Sequence, residues 1–273
     1  MKIDGALRYA KNYVLTALLM FICHQAQIVG DYKGYALSLF VALIYCRFNI
    51  AVISCCYLSI SLICDHTLYG IVYATAPVII LLAAKYLHYL FAKPMRLSAA
   101  VGYAFLCVLP LAVVDITRGF KIEYGVYLVS LVVVSLLFCS ICYALGVRGV
   151  GRRLSGDEIV GGFVLLAVLA NGIYSFNIYG FRIFYLALGL AMPYLYRNFS
   201  LTQGLVIISA IAVGGGLTDI SLAMSGGIIL IFLTSYLFNA NKWIAGLCAT
   251  LTHIICGPYF RIFPGVYYLH LIA

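Results

Sequence analysis

Charge is scarce in this chain. Asp, Glu, Lys and Arg supply 9% of its 273 residues and hydrophobic residues 65%, against about 25% charged and roughly 45–50% apolar in soluble domains. Mean hydropathy is correspondingly high, at +1.10. No stretch of mixed polarity is long enough to build a water-facing core, so no catalytic domain outside a membrane is expected in these residues. The eight acidic residues are dispersed over separate loops. Without a nucleophile, base or metal cluster on a shared face, neither enzyme activity nor a cofactor is expected. The formal charge of +9 comes from Lys and Arg scattered between apolar runs and not from a basic patch. That pattern argues for orientation in a lipid bilayer and against nucleic acid.

Metal-ligand spacing is missing as well. Of ten cysteines, most lie inside apolar runs (Cys23, Cys46, Cys55, Cys56, Cys107, Cys139, Cys142 and Cys248), where a reduced thiol behaves as a small hydrophobe. His253 and Cys256 share a helical face, but two ligands do not make a zinc site. His24, His66, His88 and His270 have no consistent partners in the sequence and read as structural or interfacial. Tryptophan occurs once, against 23 tyrosines. Tyr13, Tyr35, Tyr124, Tyr196 and Tyr236 fall near predicted span ends, where a ring with one polar tip suits the headgroup boundary.

Long apolar runs are what the chain has in quantity. They cover residues 13–29, 35–46, 50–64, 68–82 or a little beyond, 97–114, 125–147, 159–175, 180–196, 201–217 and 221–238. An eleventh, 243–256, precedes a short apolar tail at 257–273. The fold expected is all-α: a polytopic transmembrane bundle of about ten helices forming one integral membrane domain over residues 1–273. The first run has no small-residue cleavage site before Gly30 and Asp31, so it reads as a retained span and not a signal peptide. Residues 35–46 are too few to cross about 30 Å of hydrocarbon at about 1.5 Å per residue. This run is extended by Arg47 and Phe48, buried among neighbours, or only half a span.

Loop charges orient the chain. Alternate loops place Lys2, Arg8, Lys11, Arg47, Lys85, Lys93, Arg96, Arg148, Arg152, Arg153, Arg197 and Lys242 on one side. Only Lys33, Arg118, Lys121 and Arg182 lie on the other, joined by Arg261 if 243–256 crosses. Basic residues are retained in the cytoplasm, so residues 1–12 are a cytoplasmic N-terminus in the cell membrane. Residues 13–147 form a first group of spans, 148–158 a basic cytoplasmic loop, and 159–256 a glycine-rich second group.

Two places punctuate the apolar sequence most heavily. Ser155 and Glu158 have the spacing of a capping box at the start of the seventh run. Further on, Gly204, Gly214, Gly215, Gly216, Gly226, Gly227 and Gly246 remove bulk from successive runs, as close helix packing requires. Residues 201–238 should form a tight helical hairpin. Asp219 stands in the glycine-rich stretch between the two runs. It reads either as a carboxylate capping a wet turn or as a candidate polar site in a broken helix pair.

Residues 155–160 (SGDEIV) and 171–180 (NGIYSFNIYG), separated by a span, resemble the membrane domain of the stage II sporulation protein E family. Its acidic helix start is likewise followed by a small-residue span and a glycine-containing turn. Gly204 to Gly216, the "DIS" at Asp219, the Gly226-Gly227 pair and residues 241–246 (NKWIAG) are similar to its glycine-rich spans and their junction. Its Gly-Arg-Ala and Pro-Phe-Ala entries are not kept at 24–26 and 35–40, and the residues of its serine phosphatase domain are not found here. The resemblance implies a non-catalytic, septum-associated anchoring and assembly module, with self-association or other membrane and division proteins as partners. A reading from another class, a small solute transporter or substrate-binding membrane subunit, rests on the glycine hinge with Asn171, Asn177 and Gln203.

Overall fold

In hydrocarbon a backbone has no water to bond, so an apolar chain satisfies its N–H and C=O groups within each segment and becomes helical. The computed structural model describes residues 2–46, 48–92, 95–119, 121–148, 154–178, 181–219, 222–238 and 241–260. Eleven α-helices are found among them: α1 (Lys2–Gln25), α2 (Ala36–Tyr45), α3 (Ile50–Cys64), α4 (Leu68–Leu90), α5 (Leu97–Arg118), α6 (Ile122–Tyr143), α7 (Gly156–Tyr174), α8 (Ile183–Asn198), α9 (Leu201–Asp219), α10 (Leu222–Leu237) and α11 (Lys242–Phe260). A π-helical turn, Ala144–Arg148, ends α6. Two-residue strands β1 (Asn177–Ile178) and β2 (Phe181–Arg182) pair antiparallel between α7 and α8.

The protein is thus all-helical apart from that short ladder. Four helices among the described residues are long and apolar enough to cross a membrane, over Leu68–Leu90, Leu97–Thr117, Ile122–Gly146 and Gly156–Tyr174. Six further apolar helical stretches are shorter, including Ala36–Tyr45 and Leu201–Leu217. Large apolar side chains such as Ile79, Phe105 and Val129 stand exposed on the long helices, as lipid-facing positions do. The polar loop read at 115–124 is shorter than that reading: α5 continues to Arg118 and α6 begins at Ile122. Asp115 and Tyr124 are therefore helical.

The chain divides into two compact units, Met1–Leu165 and Leu166–Ala273. The division falls inside α7 and not at the basic loop. In the first unit, α2 is the centre. From Ala36 to Ile44 no residue is more than 8% exposed, because α1, α3, α4, α5 and α6 all pack against it. Of the three accounts of this short run, burial among neighbours is the one the fold adopts. Phe40 stacks on Tyr57 of α3 with ring centroids 4.4 Å apart, and Ser38 Oγ donates to the Leu131 carbonyl of α6 at 2.9 Å.

In the second unit, α10 packs against α8, α9 and α11. Phe184, Leu188, Ile208, Ile228 and Phe232 form its interior. The α9–α10 pair is the hairpin expected from the sequence, and Ser225 Oγ on α10 donates to the Ala212 carbonyl on α9 at 2.8 Å. Through Gly214, Gly215 and Gly216 the backbone of α9 stays helical, so that stretch is not unwound.

Candidate functional site

Glycine and one amide draw helices together in the second unit. A Cβ built on Gly214 would collide with the Ala167 backbone carbonyl of α7. Beside it, the buried Asn171 donates from Nδ2 to the Gly214 carbonyl at 2.9 Å. A Cβ on Gly204 would lie 2.6 Å from Phe232 Cζ, and one on Gly215 2.7 Å from Phe184 Cζ. These three glycines hold α9 against α7, α10 and α8 respectively. Gly216 and Gly227 are buried and Gly226 half-buried. Gly246 differs: it is exposed on α11 and a Cβ there would meet only open space among the described residues. Asp219 ends α9, but its side chain lies outside the described residues, as do those of His253 and Cys256.

The start of α7 is braced as well. Glu158 Oε2 accepts the Ser155 backbone N–H at 2.8 Å, so an orphan donor of the helix start is satisfied. One turn on, Gly161 meets α6 so closely that a Cβ would collide with the Leu137 carbonyl.

The first unit holds a feature that residue spacing did not reveal. The segment between α1 and α2 is drawn into the bundle, and tyrosines bond its backbone. Tyr127 Oη donates to the Lys33 carbonyl at 2.5 Å, and Tyr73 Oη donates to the Gly34 carbonyl. Tyr73 Oη also accepts the Leu37 N–H at 3.0 Å, an orphan donor at the start of α2. Tyr35 is fully buried and its hydroxyl lies 2.8 Å from Ser130 Oγ. Non-helical backbone buried inside a bundle needs such partners. Tyr35 and Tyr124 are therefore core residues and not headgroup-belt residues, because their hydroxyls find partners inside the protein.

This inward segment walls a cavity of about 260 Å³. His24 and Gln25 from the end of α1 line it, with Asp31, Tyr32 and Lys33 from the segment itself and Cys64, Asp65, Tyr69 and Tyr73 from the α3–α4 corner. Asp31 and Lys33 are exposed at its rim. Asp65 is fixed by accepting the Thr67 N–H on Oδ1 at 2.8 Å. Gly70 lets that corner fold over α4, since a Cβ there would collide with the Asp65 carbonyl. His24 is 5% exposed, sits edge-on to Tyr73 with centroids 5.6 Å apart, and has no hydrogen-bond partner on Nδ1 among the described residues. One signal in the sequence points here: Tyr69 and Tyr73 recur at helical spacing at the start of a span, just after Asp65.

No protein-family model, curated protein or solved structure matches this chain.

Proposed function

We propose that the chain is a non-catalytic, multi-span membrane anchoring and assembly module, in the manner of the stage II sporulation protein E membrane domain. On this reading about ten helices cross the cell membrane from a cytoplasmic N-terminus. Its partners are the bilayer, further copies of itself or other division proteins. The observation that carries the proposal is the contact of Gly214 with the Ala167 carbonyl, reinforced by Asn171. Small residues and interhelical hydrogen bonds are the means by which helices associate in lipid, where no hydrophobic drive exists between them. Two further bonds between helices of the second unit add to this bracing: Ser225 Oγ donates to the Ala212 carbonyl and Thr252 Oγ1 to Thr234 Oγ1 at 3.1 Å.

Two measurements test this. Gly226→Leu or Gly227→Leu should reduce oligomer retention in mild detergent and the septal position of a fluorescent fusion in a spore-forming host, while Asp219→Asn leaves both unchanged. Solute uptake into vesicles that depends on Asp219 would overturn anchoring in favour of transport.

A further inference from the structure

We propose that the cavity of the first unit binds a free α-amino acid, with Lys33 holding the carboxylate and Asp31 and Asp65 the ammonium group. This stands apart from the anchoring reading, which draws on the other unit.

Size narrows the ligand first. The volume of about 260 Å³ falls just below the roughly 300–1,000 Å³ typical of pockets for drug-sized molecules, which suits a single small metabolite. Charge narrows it further. One ammonium and two carboxylates meet around one opening, so a purely anionic or purely cationic ligand would face a like charge wherever it lay. A zwitterion can set each end against its opposite.

The present contacts of these groups are ones a ligand would improve. Lys33 Nζ donates to the neutral Gln25 Oε1 at 3.3 Å, and Gln25 Nε2 donates to Cys64 Sγ at 3.4 Å. A thiol sulfur is a weak acceptor, whereas a carboxylate oxygen would turn both donors to shorter, charge-assisted bonds. Deeper in, His24 Nδ1 is buried and unpaired among the described residues. Buried polar atoms nearly always have a partner, and a bound polar molecule in this cavity supplies one. The rings of Tyr32, Tyr69 and Tyr73 give the walls faces that attract an ammonium group.

The test uses the full chain in detergent micelles, with its thermal midpoint measured against each proteinogenic amino acid and D-alanine in turn. At least one of these should raise the midpoint. The shift should vanish when the same compound is N-acetylated or presented as its methyl ester. Lys33→Gln and Asp31→Asn, both at exposed positions, should leave the unliganded midpoint unchanged and weaken binding about tenfold or more, as loss of a charge-assisted bond predicts. The proposal is overturned if no amino acid shifts the midpoint or if only glucose or N-acetylglucosamine does. It is equally overturned if the shift survives the blocked compounds or both substitutions.

Discussion

The Tyr57 hydroxyl donates to the Tyr73 carbonyl at 2.8 Å, and that carbonyl is one that α4 cannot satisfy from within. Its helical donor would be the N–H of residue 77, and residue 77 is proline. A side chain of α3 thus replaces a bond missing from α4, deep in the first unit where water does not reach. The same ring stacks on Phe40 of α2, so three helices are joined at one residue.

Removing that hydroxyl exposes the debt. Tyr57→Phe keeps the stacking but leaves a buried carbonyl unpaired, which should destabilise the chain by about 1–3 kcal/mol. In a Pro77→Ala background the helix supplies its own donor, and Tyr57→Phe should then cost little. A double-mutant cycle on thermal midpoints in detergent checks this, and equal costs in both backgrounds would refute the compensation.

Gly34 is held by both backbone angle and space. Its φ is +120°, and a Cβ would lie 2.9 Å from Tyr127 Oη and 3.0 Å from the Tyr73 ring. Gly119 has φ +95° but nothing among the described residues within 4 Å of a Cβ. Gly119→Ala should therefore show backbone strain alone, of about 1–3 kcal/mol, and Gly34→Ala that strain plus the clash. Comparing the two stabilities isolates the contribution of the tyrosine cage.

Among the candidate packing glycines, position decides the consequence. Gly214→Ala meets backbone atoms of Ala167, which cannot move aside as the end of a side chain can, and should cost about 1–3 kcal/mol or more. Gly204→Ala meets the far end of Phe232 and should cost less. Gly246→Ala meets nothing within the described chain and should leave monomer stability unchanged. Loss of stability at Gly246 to match Gly214 would show that the described contacts are not the ones that matter.

Topology is checked by a single cysteine placed at Gly119, in the short turn between α5 and α6, in a background with the native cysteines replaced. The turn should react with an impermeant maleimide from outside intact cells. A cysteine at Ser155 should react only after permeabilisation. The opposite pattern would reverse the orientation read from Lys and Arg placement.

What the sequence determined by itself is local: that apolar segments become helices, roughly where each begins, and how Glu158 braces the Ser155 helix start. These follow from backbone hydrogen bonding and side-chain reach over a few residues, so neighbouring residues suffice to specify them. The inward face of each helix was decided elsewhere. Gly214 and Gly246 are equally glycine in an apolar run, yet one lies against a carbonyl of α7 and the other meets nothing among the described residues. Tyr13 and Tyr35 both stand at span ends in the sequence, but Tyr35 is fully buried with Ser130 beside its hydroxyl and Tyr13 is not. Those outcomes depend on the rotation and register of helices far apart in the chain. His24 acquires its cavity in the same way, since Asp65 and Tyr73 reach it only when α3 and α4 close against the end of α1.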